Sequence, residues 1–261
     1  MMLNGSILAY ALLLSSAVAA IAAVPASSPA ERPPLLQGVC RLVTMGASIT
    51  QYASRPGGYV WRIQHALNAL YPNDPIEVID VGISGNTSGD MVGRFKHDVV
   101  DQHPDLVTIK EGFNDLTRRL HGGTNGANAE EYGKNMETMV RMSQAANFRV
   151  LIMTPTIYEN EPDSSGNEQL KDYVKAIRDL AAREHLPLAD QNAALLEAWA
   201  EQRNGNHERL TTDGVHLTLL GDAVLARTTL LALGIPAAQL DAIEPGIKEE
   251  IDKAVKDEGH K

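Results

Sequence analysis

Five short apolar runs, each followed by a helical pattern, constrain this chain more than any other feature. Residues 39–45, 76–81, 106–109, 150–154 and 186–189 are mostly apolar, and the first four are rich in β-branched side chains, as buried strands are. Helical stripes occupy the intervals. Val60, Ile63, Ala66, Leu67 and Leu70 mark one over 59–70, and Met91, Phe95 and Val99 mark another over 88–100. Further helices are expected over 129–146, 168–185, 192–202 and 217–233. Strict alternation of this kind requires a parallel sheet covered on both faces. The expectation is a single-domain three-layer α/β/α sandwich with a flavodoxin-like five-stranded sheet in the order 2-1-3-4-5. Ligands in such sheets bind beyond the carboxyl ends of the strands, near the switch point.

The N-terminus reads differently. Residues 1–30 carry no charged side chain, and Ile7 to Val24 is apolar or small apart from Ser15 and Ser16. Ala17-Val18-Ala19 and Ala20-Ile21-Ala22 offer small-x-small cleavage sites. Residues 1–23 are therefore expected to be a signal peptide and 24–37 a flexible leader. The domain follows over 38–240, and a charged helix over 241–261. The mature product is expected to be secreted or periplasmic, without stable membrane association. About 230 residues remain, enough for one large core.

The net charge of −10 falls on that mature part and disfavours nucleic acid and anionic membranes as partners. The single cysteine, Cys40, rules out an internal disulfide and is expected to be buried at the head of the first strand. In the tail, Ile243, Ile247, Ile251 and Val255 recur four apart. This seam suits docking against the domain, and a partner-binding helix is the alternative.

Three chemistry-bearing segments follow strand ends: Ser48, the glycine turn from Gly82 to Gly85, and Asn114 in Gly112-Phe113-Asn114-Asp115. Far downstream, Asp213 precedes His216 by three residues. Each has an ordinary structural explanation alone, as a cap, a tight turn or an Asx turn. Together they supply a nucleophile, an oriented base and donors for an oxyanion. Asp213 can reach one ring nitrogen of His216 and leave the other for Ser48.

These segments resemble the SGNH hydrolases, also called the GDSL esterase/lipase family, over roughly residues 40–233. Gly46-Ala47-Ser48-Ile49-Thr50 is similar to the Gly-Asp-Ser-Ile/Leu segment, and Gly82 to Ser88 to the glycine segment. Gly112 to Asp115 resembles Gly-x-Asn-Asp, and Asp213 to His216 the Asp-x-x-His segment. Two departures stand out: Ala47 where the family has Asp, and Leu217 where proline often follows the histidine. The resemblance implies a serine esterase with Ser48, Asp213 and His216 as triad. It implies an oxyanion hole from the N–H groups of Ser48 and Gly85 and the amide of Asn114. It implies no metal and no cofactor. An α/β-hydrolase elbow, a Rossmann fingerprint and a P-loop all fail to match.

The loops expected after the third and fourth strands are polar, with Arg118 and Tyr158 among them, and Tyr52 follows the nucleophile. These three are the candidate substrate-binding residues. Such a cleft suits a small-molecule or polysaccharide ester with a short acyl group, hence a carbohydrate O-acetylesterase. A lysophospholipase or broad lipid esterase, acyl transfer to a sugar, and a non-catalytic carbohydrate-binding relative remain alternatives.

Overall fold

The computed structural model describes residues 31–161, 163–202 and 208–258. The expected signal peptide and the first part of the leader lie outside the described residues. The chain runs through β1 (Arg41–Met45), α1 (Ser48–Gln51), α2 (Tyr59–Leu70), β2 (Glu77–Asp80), α3 (Ser88–Asp98) and β3 (Leu106–Ile109). It continues through α4 (Phe113–Leu120), α5 (Ala129–Ala145), β4 (Arg149–Met153), α6 (Ser165–Glu184), β5 (Leu188–Ala189), α7 (Gln191–Gln202), α8 (Leu219–Ala232) and α9 (Ala237–Glu258).

The five strands are parallel and ordered β2-β1-β3-β4-β5, as expected. Val43 pairs with Ile79 on one side and Val107 on the other, and Val107 pairs with Val150. Successive strand residues point to opposite faces. Leu42, Leu106, Leu151 and Met153 join a core with α2, α7, α8 and α9. Val43, Val107, Val150 and Ile152 join the other core with α3, α5 and α6. Both faces are thus filled, which is why the strands read as nearly continuous apolar runs. Burial of each such side chain contributes about 1.5–3 kcal/mol.

Three local differences from expectation have physical causes. Cys40 is exposed, not buried. Strand pairing begins at Arg41, and the Cys40 N–H is taken by Asp105 Oδ2 at 2.7 Å, so its side chain falls outside the sheet face. The segment carrying Arg118, expected as a loop, is helix α4, with Phe113 and Leu116 as its buried apolar side chains. Within the stretch read as leader, Pro34–Leu36 forms a 3-10 turn, and Leu36 is fully buried.

The tail helix α9 packs on α2. Ile247 and Ile251 are buried, Ile243 is packed against the same core, and Val255 is exposed. Arg62 Nη1 meets Glu244 Oε1 at 3.1 Å across the pair. Among the described residues, no helix is long and apolar enough to cross a membrane.

Candidate active site

The site forms where β1 and β3 lie side by side and their outgoing loops diverge. Ser48 opens α1, directly beyond β1, and is nearly buried. His216 Nε2 lies 3.0 Å from Ser48 Oγ, across 168 residues of sequence. His216 Nδ1 lies 2.7 Å from Asp213 Oδ2. The other carboxylate oxygen of Asp213 accepts from the backbone N–H groups of His216, at 2.8 Å, and Val215, at 3.0 Å. Desolvation by burial opposes ionisation of Asp213, but these hydrogen bonds outweigh it and hold the carboxyl down at about 2. Sequence spacing therefore located three side chains that do meet.

The glycine turn follows β2. Gly85 has φ +78, a left-handed conformation that a side chain would strain. Thr87 then caps α3: its side chain accepts from Asp90 N, and the Asp90 carboxylate accepts from Thr87 N in return. Among the described residues, no acceptor is paired with the N–H of Ser48 or of Gly85. Asn114 sits in the first turn of α4. Its Nδ2 donates to the Asn86 carbonyl at 2.9 Å, which leaves its second amide hydrogen free. The three expected oxyanion donors thus follow three different strands, β1, β2 and β3.

Gly112 makes the approach of α4 possible. Its φ is +122, and a Cβ there would lie 2.7 Å from Pro155 Cγ. Glu111 fastens the helix start: its Oε1 accepts from Asn114 N at 2.7 Å, and its carbonyl accepts from Tyr132 Oη at 2.7 Å. Glu111 and Lys110 are both buried. Burial pushes the Glu111 carboxyl up and the Lys110 ammonium down, and their mutual attraction opposes both shifts.

The most informative residue that sequence reasoning missed is Arg94. Its guanidinium donates to the carbonyls of Gly46 at 2.9 Å and Val81 at 2.7 Å, and to Asn86 Oδ1 at 2.5 Å. Asp98, one helical turn on, accepts from it at 2.7 Å. One side chain thereby ties the Ser48 loop, the end of β2 and the glycine turn together. The only sequence signal was the Arg94–Asp98 spacing, which reads as an ordinary helix ion pair. Asp115 is comparable: fully buried, it accepts from Ser88 N, Ser88 Oγ and Ala127 N.

The candidate substrate residues separate. Tyr52 is 51% exposed, and its ring stands edge-on to His216 with centroids 5.4 Å apart. Arg118 holds the glycine turn, donating to the Gly85 carbonyl at 2.8 Å. Tyr158 packs edge-on against Phe113 and lies over Gly166. Two cavities flank the Ser48–His216 pair. A small one of about 10 Å³ is lined by Ser48, Ile49, Phe113, Asn114 and Pro155, with Lys110 and Glu111 behind. A larger one of about 260 Å³ begins at His216 and Tyr52. Arg118 and Tyr158 line neither. Among the described residues, no cluster of three or more His, Cys, Asp or Glu side chains is placed to hold a metal.

The sequence profile of the GDSL-like lipase/acylhydrolase family matches residues 44–224, from β1 into α8. The chain belongs to that family. An acetylxylan esterase of Geobacillus stearothermophilus is 28% identical over 180 residues, covering 68% of this chain and 81% of that protein. The crystal structure of the acetyl xylan esterase AlAXEase is similar with a TM-score of 0.69 at 29% identity, covering 74% of this chain and 98% of that one. An uncharacterised lipoprotein of Bacillus subtilis, YqeF, is 26% identical over 141 residues, covering 47% of this chain and 58% of that protein. Family and relatives together make this esterase a carboxylic ester hydrolase.

Proposed function

We propose that the esterase removes acetyl groups from a carbohydrate, through an acyl-enzyme on Ser48. The supporting observation is the size of the cavity beside Ser48 and Asn114. At about 10 Å³, it has room for one water-sized or methyl-sized group. Ile49, Phe113 and Pro155 are its apolar lining, a small contact surface suited to an acetyl methyl. The acetylxylan esterase relatives point to the same substrate class.

The chemistry follows from the geometry. His216 Nε2 takes the Ser48 hydroxyl proton as Oγ bonds to the ester carbonyl carbon. The carbonyl oxygen becomes an oxyanion, met by the N–H groups of Ser48 and Gly85 and by Asn114 Nδ2. The C–O bond to the sugar breaks, and the imidazolium returns its proton to the leaving alcohol oxygen. Water then repeats the sequence: its proton goes to His216, its oxygen bonds to the acyl carbon, the bond from that carbon to Ser48 Oγ breaks, and the imidazolium returns its proton to Oγ as acetate leaves. Asp213 holds the imidazole with Nδ1 as donor throughout.

Residues 1–23 serve as an export signal in this reading, which puts the esterase outside the cytoplasm, where polysaccharides occur. A panel of acetyl to palmitoyl esters, together with acetylated xylan, tests the proposal. The expected result is highest kcat/KM for acetyl, a decline by butyryl or hexanoyl, and acetate release from the polysaccharide. Activity rising steadily to twelve-carbon chains would replace it with the lipid-esterase reading.

A further inference from the structure

The larger cavity has a composition of its own. It runs from His216 past Tyr52, Arg55, Thr212, Leu217 and Asp222, and shares only Ile49 with the small cavity. A leaving alcohol has to sit where His216 can return a proton to its oxygen, so the alcohol side of the substrate borders this space.

Its chemistry is selective. Tyr52 exposes an aromatic face beside the reacting groups. Arg55 is fixed and not free to swing: it donates to Asp222 Oδ2 at 2.8 Å, to the Leu217 carbonyl at 3.2 Å and to the Tyr52 carbonyl at 2.8 Å. Its Nε finds no partner among the described residues and remains a donor. Asp222, buried beneath, also accepts from Tyr59 N and balances the guanidinium charge. Thr212 Oγ1 donates to the His216 carbonyl at 3.1 Å, which leaves its lone pairs as acceptors. The cavity thus offers one stacking face, one fixed donor and one acceptor, with no net charge at its floor.

An anionic group gains little here, since Asp222 already neutralises Arg55 and the chain carries −10 overall. An alkyl chain would find apolar surface on Ile49, Leu217 and the Tyr52 ring, but it would leave the Arg55 and Thr212 polar groups unused. A neutral sugar ring matches: its C–H face lies on an aromatic ring and its hydroxyls meet the donor and acceptor at the rim. We infer that this cavity is the alcohol-side subsite, binding the ring of a neutral sugar against Tyr52 and below Thr212, next to Arg55. The inference rests on the acetylesterase reading above.

The test compares the full chain with Tyr52→Ala and Tyr52→Phe on an acetylated xylo-oligosaccharide and on ethyl acetate, whose alcohol cannot stack. In the Ala variant, the ratio of kcat/KM for the oligosaccharide to that for ethyl acetate should fall roughly tenfold, mainly through KM. The Phe variant should restore it. A disturbed His216 would lower both substrates together and leave the ratio in place. Deacetylated xylo-oligosaccharide should competitively inhibit ethyl acetate hydrolysis by the unsubstituted protein, a measurement that needs no variant. An unchanged ratio, or no product inhibition, overturns the subsite while sugar-acetate hydrolysis keeps the acetylesterase reading standing. Ethyl acetate hydrolysis without any release from sugar acetates removes both.

Discussion

Asn160 pairs with both backbone groups of Thr211: its Nδ2 donates to the carbonyl at 3.2 Å, and its Oδ1 accepts from the N–H at 3.0 Å. A side chain thereby imitates a neighbouring strand, two residues before Asp213. Glu159 N donates to the Gly214 carbonyl at 2.7 Å alongside. The segment after β4 thus grips the Asp213–His216 turn from outside the proposed triad. Asn160→Ala removes two hydrogen bonds and should cost about 1–3 kcal/mol of stability. With the turn loosened, kcat should fall roughly 10–100-fold with little change in KM. Steady-state kinetics with a thermal melt check both; an unchanged kcat would show that the turn holds its shape alone.

Ser48→Ala should lower kcat by several orders of magnitude, on the order of 10⁶. Among the described residues, the hydroxyl's one side-chain partner is His216, so the melting temperature should stay near that of the unsubstituted protein. A phosphonate that labels serine nucleophiles should react with the parent chain and not with the variant. Labelling that persists in the variant would move the nucleophile elsewhere.

Asn114→Ala should lower kcat by roughly 10²–10³, the usual loss for one oxyanion donor. Its bond to the Asn86 carbonyl also ties α4 to the glycine turn, so some stability should go with it. A change confined to KM would make Asn114 a ground-state binding group instead.

Asp213 should keep its charge well into acid. The folded value of that carboxyl is depressed to about 2. The pairing therefore stabilises the fold above the ordinary carboxylate range and is lost only as pH falls towards about 2. The kcat/KM profile on an acetyl ester should accordingly show no loss of activity from Asp213 discharging in the ordinary carboxylate range. A step within that range, absent from an Asp213→Asn variant, would mean that the carboxyl is not held down.

The sheet was legible because both its faces are covered. Runs such as Leu42–Met45 are buried at every residue and apolar at all but Thr44, and parallel order follows from the helices between them. The proposed triad was legible because Asp213 and His216 lie three residues apart and Ser48 follows the first strand. Helix α4 was not, since its polar residues Thr117, Arg118 and Arg119 obscure the single-turn spacing of Phe113 and Leu116. Arg94 was not either: three of its partners lie 8, 13 and 48 residues away, on elements whose proximity only the fold creates. Arg118 was legible as a residue near the site, but its bond to Gly85 makes it a brace of the glycine turn, which its loop-like composition did not suggest.

The Arg94 guanidinium has one further consequence. It is a flat, covalently rigid plate, and the loops bearing Ser48 and Gly85 are both bolted to it. Two separately tethered loops would drift independently as temperature rises, and their errors would add. Loops that share one plate move together, so the spacing between the proposed nucleophile on Ser48 and the proposed donor on Gly85 stays constant while the pair shifts as a unit. Heat should then leave the reaction geometry sound until the domain itself gives way, with activity ending abruptly at the melt instead of fading ahead of it.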